Sequence, residues 1–225
     1  MTPKVLSKRL KEKIIMSSLS RVSPVSLPGK ISKTEDRGGY SVVLSYKNEP
    51  QNTPWLVDLS HRTKLDFQCN GNVPPSAMGI DLPKVPGRAV VEKQWIVSAL
   101  GAAQFSFIHI GNETAPPQDD PGFTDITDGR CLFAIGGKGA SMLMEKFTRM
   151  NFNDPALESP SLLQGPMVHT FGQLHILGKE EHRIFLIAIG RGYARSVAHA
   201  ILDTGASGNL APAGENRFTQ ALAHV

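Results

Sequence analysis

Between Thr124 and Gly205 every local signal agrees on one order of elements: strand, helix, strand, strand, helix. Cys131-Leu132-Phe133-Ala134-Ile135 reads as a buried strand, Gly136 and Gly137 as a turn, and Lys138 to Phe147 as a helix. Ala140, Leu143, Met144 and Phe147 stand there at i, i+3, i+4 and i+7, which makes one apolar face. Gly165-Pro166 introduces a strand from Met167 to Leu177, and Phe185 to Ile189 follows across the turn Gly178-Lys179-Glu180-Glu181. The final helix runs from Tyr193 to Asp203, with Ala194, Val197, Ala198 and Ile201 at helical spacing and Gly205 where a C-terminal cap belongs. Alternating strands and helices of this length predict an α/β (α+β) fold with helices packed on the outside of small sheets.

The rest of the chain is organised around that stretch. Residues 1–38 read as a flexible arm, basic at first and then rich in Ser, Pro and Gly. Residues 39–110 read as a β-rich lobe, with strands at Tyr40 to Tyr46 and Trp55 to Ser60, a spacing that allows a hairpin, and further strands at Thr63 to Cys69, Trp95 to Val97 and Ala103 to Ile110. Residues 111–122, with three prolines and two glycines, are a linker. Residues 123–212 form the second lobe and 213–225 a tail. The arm and the linker are surfaces on which a partner could order extended backbone.

Charge is local. Of the net +4 of the 225-residue chain, all is accounted for by residues 1–15, which carry Lys4, Lys8, Arg9, Lys11 and Lys13 against Glu12. A neutral body with three tyrosines and two tryptophans has neither a basic groove nor a stacking platform, so nucleic-acid binding is not expected. The run Met16-Ser17-Ser18-Leu19-Ser20 is a plausible true start, and the basic segment lacks the apolar centre of a secretory signal. Two distant cysteines, Cys69 and Cys131, suit a reducing, cytoplasmic setting. The longest apolar run, Ile184 to Gly190, is strand-sized, so no membrane span is expected.

Several motifs invite chemistry. Ala200-Ile201-Leu202-Asp203-Thr204-Gly205 fits an aspartic-protease signature, in which Asp203 would share a proton with its counterpart in a second subunit. That chemistry needs a loop after a strand, and the helical spacing before Asp203 argues for a remote alternative only. Ile135-Gly136-Gly137-Lys138-Gly139-Ala140-Ser141 suggests a phosphate cradle at a helix N-terminus, but Lys138 precedes Gly139 and position 132 is Leu, so a tight strand-to-helix turn is the better reading. Gly190-Arg191-Gly192 has the same weak anion-binding potential. His169 and His175 are six residues apart on one strand, roughly 20 Å, too far to share a metal ion, and His199 reads as a helix-surface residue. No catalytic residue and no metal site is assigned.

Asp58-Leu59-Ser60-His61-Arg62 is similar to the Asp-x-Ser-His segment near the start of the glycine-cleavage aminomethyltransferases. Asp125-Ile126-Thr127-Asp128-Gly129-Arg130 with the strand to Ile135, Gly136 and the helix after it resembles a unit of the gamma subunit of heterotetrameric sarcosine oxidase. The resemblance continues through Leu162-Leu163-Gln164-Gly165 into Gly190-Arg191-Gly192-Tyr193-Ala194-Arg195-Ser196-Val197, and covers about residues 55–212. It implies a two-lobed aminomethyltransferase-like fold and a non-catalytic subunit of an amine-oxidising hetero-oligomer in one-carbon metabolism. Larger flavin-containing partner subunits would hold FAD, FMN and NAD and carry the folate-linked chemistry, with no cofactor bound by this chain alone. Asp58, His61 and Arg191 are the candidates it supplies for cofactor contact. Where aminomethyltransferases carry Tyr-Thr-Gly-Glu, this chain reads Leu177-Gly178-Lys179-Glu180-Glu181-His182, so no pterin-binding glutamate carries over. Two other readings stay open: a stand-alone tetrahydrofolate-binding protein of aminomethyltransferase type, and an unrelated binding domain.

Overall fold

The computed structural model describes residues 20–115, 118–148, 150–152, 154, 157–168 and 170–225. Met16, the basic segment and His169 lie outside them. The chain opens on a ribbon of β1 (Ile31–Arg37) and β2 (Tyr40–Tyr46), paired antiparallel with Arg37 opposite Tyr40. Its two-residue loop, Gly38-Gly39, has φ of 59° and 85°, the left-handed pair that matches the twist of a tight hairpin. Residues 31–37 are therefore strand and not arm, and Tyr40–Tyr46 pairs with them instead of with the strand that begins at Trp55.

That next strand, β3 (Trp55–Asp58), crosses into a six-stranded sheet with β11 (Arg130–Gly136), β12 (Ser161–Met167), β13 (Thr170–Leu177), β14 (Ile184–Gly190) and β15 (Ala211–Pro212). Its order is β12-β13-β14-β11-β3-β15. A five-stranded sheet contains β4 (Lys64–Gln68), β7 (Ala89–Glu92), β8 (Trp95–Ala99), β9 (Gln104–His109) and β10 (Phe123–Asp125), in the order β10-β4-β9-β8-β7. The sheets thus exchange strands across residues 111–122: β3 precedes that segment but joins the later sheet, and β10 follows it but joins the earlier one.

Alternation explains the layering. On β11, Cys131, Phe133 and Ile135 face a core shared with α1 (Ala140–Thr148) and α2 (Ala194–Gly205), through Leu143, Met144, Val197 and Ile201. Leu132 and Ala134 face the opposite way, against Ile96 and Ile108 of the five-stranded sheet. The six-stranded sheet is covered on both faces, which is why Ile184 to Ile189 reads as an unbroken apolar run and is buried throughout. Beyond the five-stranded sheet, Phe67, Trp95, Phe105 and Phe107 build a third core with a ribbon of β5 (Ser76–Ala77) and β6 (Ile80–Asp81). No helix among the described residues is long and apolar enough to cross a membrane.

The chain ends in α3 (Glu215–Leu222), which buries Glu215 and Phe218, so residues 215–222 are part of the core and not a tail. Gly205 is not the left-handed cap: α2 runs through it, a short 3-10 turn follows, and Asn209 takes the left-handed conformation at φ 57°. Gly205 is small because Leu210 packs where a Cβ would sit.

The glycine turn before α1 is a packing device. Gly137 has φ 88° and a Cβ there would lie 2.6 Å from the Thr53 carbonyl oxygen, whereas Gly139, at φ 89°, has open space above it. Both alanine variants carry the left-handed strain of about 1–2 kcal/mol. Gly137→Ala must also displace backbone, so urea denaturation is expected to show it at least about 1 kcal/mol less stable than Gly139→Ala. Equal losses would contradict the close approach to Thr53.

Candidate functional site

The turn that follows β3 is fastened by side chains from three segments. Asp58 Oδ1 accepts the Ser60 amide at 3.0 Å and the Ser60 hydroxyl at 2.6 Å, an Asx-type turn, while Oδ2 accepts the Ser23 hydroxyl. Lys64, 2% exposed, reaches back from β4 and donates its ammonium to the carbonyls of Ser60 at 2.8 Å and Arg62 at 2.6 Å. Burial lowers the Lys64 amine to about 8, and both hydrogen bonds hold it against the turn. Ser60 also lies 3.2 Å from Cys131 Sγ. Burial raises that thiol to about 12, so Cys131 is an inert core thiol and not a nucleophile.

Fastening the turn aims His61 and Arg62 at one carboxylate. Glu215 Oε1 receives His61 Nε2 at 2.8 Å and Arg62 Nη2 at 2.5 Å, and Oε2 receives Arg37 Nη1 from the hairpin. Burial alone would raise Glu215, but the His61 hydrogen bond and the charges of Arg62 and Arg37 outweigh it and hold the carboxyl at about 2. His61 is pushed down by burial, partly opposed by Glu215. One carboxylate thereby joins α3, the β1–β2 hairpin and the turn after β3.

The segment Asp125-Ile126-Thr127-Asp128 folds onto the same junction. Asp125 Oδ1 accepts the Thr127 amide at 2.8 Å, and Thr127 Oγ1 accepts the Lys64 amide at 3.0 Å. Asp128 accepts Arg21 Nη2 at 2.8 Å and the Tyr40 hydroxyl. Arg191 donates Nη2 to the Val22 carbonyl, and its charge acts on Tyr40 and Asp128. The two motifs noticed in the sequence, some 65 residues apart, are therefore one site, with Arg191 at its rim. Asp58 and His61 face protein partners in it: Asp58 holds Ser23 and Ser60, and His61 holds Glu215. Sequence reasoning missed Glu215 and Lys64. Glu215 had a signal, since it opens a helix whose Phe218 and Leu222 share a face; Lys64 had none, being one charge in a strand.

A cavity of about 80 Å³ opens beside the turn, lined among others by Arg37, Tyr40, His61, Arg62, His109 and Asn112. A second, of about 810 Å³, lies at the start of α1 against Lys179 to Glu181 and Arg183, with charges of both signs. Elsewhere, Ser98 Oγ and His175 Nδ1 are 3.0 Å apart between the two sheets, a serine–histidine pair the sequence did not reveal. Both are fully buried and burial lowers His175 to about 3, so the pair joins the sheets and meets no substrate. Asp203 lies exposed in the last turns of α2, on a helix where the protease reading required a loop, and that reading is withdrawn. No group of three or more metal-ligating side chains occurs among the described residues.

No protein-family profile and no curated protein sequence matches the chain. Solved structures do. A chain of the heterotetrameric sarcosine oxidase from Corynebacterium sp. U-96, determined in complex with pyrrole 2-carboxylate, matches with a TM-score of 0.58 at 16% identity, covering 71% of this chain and 87% of that one. The glycine cleavage system aminomethyltransferase T from Bartonella henselae matches with a TM-score of 0.58 at 16% identity, covering 85% of this chain. The present chain spans only 58% of the length of that aminomethyltransferase. At such identity the likeness concerns backbone architecture, and the conclusion it carries is that this chain has the aminomethyltransferase-like fold.

Proposed function

We propose that the chain is a non-catalytic, gamma-type subunit of a cytoplasmic sarcosine-oxidase-like complex, which demethylates N-methyl amines oxidatively. In this reading FAD, FMN and NAD reside on larger partner subunits, which also perform folate-linked one-carbon transfer. The observation that carries the reading is the two-way coverage of the sarcosine oxidase match. A match over 71% of 225 residues is about 160 residues, and 160 residues at 87% coverage correspond to a chain of about 180. The counterpart is thus a small chain of a hetero-oligomer, matched nearly end to end. The polar junction supports the same reading, because its candidate residues are taken by protein partners: Asp58 by Ser23 and Ser60, and His61 by Glu215.

Purification of the untagged protein from its native source tests this. The expected result is co-elution with larger subunits that show flavin absorbance, and an isolated chain without amine-oxidase activity. A monomer that binds tetrahydrofolate would replace the proposal with a stand-alone folate-binding protein, the reading favoured by the 85% coverage against aminomethyltransferase T. A monomer that binds neither flavoprotein nor folate would end both.

A further inference from the structure

The six-stranded sheet is not covered to its end. On β13, Gln173 and His175 are buried on the face that meets the five-stranded sheet, where His175 bonds Ser98 of β8. Phe171 points to the same face two residues farther along the strand and is 65% exposed, so the cover stops between Gln173 and Phe171. Gly172 pairs with Ile189, which places Phe171 one residue on, beside Gly190 of β14. A Cβ built on Gly190 would meet the Tyr193 ring at 3.6 Å, and Tyr193 is 60% exposed. Gly190 has the parity of Leu186 and Ala188, which face the core between the sheets, so both rings stand on one face.

Arginines edge the two rings. Arg130 pairs with Gly190 from the other side, on the parity of Leu132 and Ala134. Arg191 follows Gly190 directly and bonds the carbonyl of the exposed Val22. No carboxylate occurs in residues 129–144, 159–178 or 184–202, which build this end of the sheet. Asp128, on which the Arg191 charge acts, is already held by Arg21 and Tyr40. The patch is therefore aromatic and cationic, the composition enriched at the centre of protein interfaces.

Charge selects the occupant. Residues 1–15 hold the whole net +4 of the chain and are repelled by this patch. A two-fold contact between copies sets the same arginine-bearing patch against itself. We propose that Phe171 and Tyr193 anchor a docking surface for an acidic face of a different protein chain, with Arg130 and Arg191 as its cationic rim. An apolar side chain of the partner seats against the rings while its carboxylates meet the guanidinium groups. The inference rests on the subunit reading above, in which that chain is a flavin-containing subunit.

The wild type, a Phe171→Ser, Tyr193→Ser double variant and Arg191→Glu are each produced untagged in the native source, and the flavin-bearing peak is followed on serial dilution. The double variant is expected to keep the wild-type urea midpoint and to associate at least about a hundredfold more weakly, since two exposed anchors are lost. Arg191→Glu is expected to associate about tenfold more weakly, by a factor that shrinks at high salt. A double variant that associates as tightly as the wild type overturns the inference and leaves the subunit reading intact. A wild type that elutes alone overturns the subunit reading and this occupant with it, and co-elution with nucleic acid in place of a protein does the same. If the double variant does not fold, hydrogen exchange on the wild-type complex decides. Peptides over residues 164–173 and 190–195 should then exchange more slowly than in the isolated chain, and unchanged exchange there overturns the inference.

Discussion

Glu215→Gln is expected to destabilise the protein by about 3 kcal/mol, the largest loss of any single conservative change near the candidate site. The substitution keeps the shape and part of the hydrogen bonding and removes the charge. Arg62 is buried and Arg37 largely so, and both cations then lack the carboxylate that neutralises them. The loss is larger than for an exposed ion pair, which contributes about 0–1 kcal/mol, because solvent cannot replace Glu215. Urea denaturation measures the total, and hydrogen exchange locates it. Protection should fall together in the β1–β2 hairpin, the turn after β3 and α3, since one side chain joins all three. A loss below about 1 kcal/mol, or exchange confined to α3, would mean that Glu215 is not the common anchor. Simultaneous replacement of Glu215 and Arg62 by Leu and Met is expected to recover part of the stability, as no buried charge is then stranded at Arg62.

Acidification should weaken the fold from about pH 6.5 downward, well before carboxylates titrate. His175 is neutral in the folded state and lowered to about 3 by burial, against 6.5 for the free side chain. The unfolded chain therefore binds a proton between those values that the folded chain refuses, so stability is present above pH 6.5 and falls as pH drops toward 3. One such group removes about 1.4 kcal/mol per pH unit, or about 3 kcal/mol by pH 4.5. His61 and His109 are also pushed down by burial and act with the same sign. Below 4.5 Glu215 adds to the loss, because its carboxyl is held at about 2 in the folded state and its contribution disappears as pH falls through that value. His175→Asn, which can still bond Ser98, should remove about 1.4 kcal/mol per unit from the slope between pH 6.5 and 4.5. An unchanged slope in that variant would show that His175 is protonated without unfolding.

The legible parts of this molecule were those with a local cause. The unbroken apolar runs on β11 and β14 follow from both faces of their sheet being covered, and the spacing of Leu143, Met144 and Phe147 marks α1. The β1–β2 hairpin was missed, and residues 31–37 read as arm, because Lys33, Glu35 and Asp36 sit on an edge strand exposed along nearly all its length that has no apolar side to show. Half of the candidate site was visible as Asp58 to Arg62 and Asp125 to Asp128. The other half, Lys64, Arg37 and Glu215, carries charges whose partners lie outside any local window; Glu215 alone had a local mark, as the first residue of the helix that buries Phe218.

The sequence by itself determined the order of the elements from Thr124 to Gly205, the apolar faces they bury and the helical context that removes Asp203 from protease chemistry. Those follow from periodicity and turn geometry within a few residues. Only the tertiary structure decided that Trp55–Asp58 lies beside β11, that β10 joins the sheet on the far side of residues 111–122, and that Glu215 collects His61, Arg62 and Arg37 from distant segments. The physical reason is that strand partners and buried charges are selected by what remains to be covered or neutralised once the layers assemble, a property of the packed whole that no short window contains.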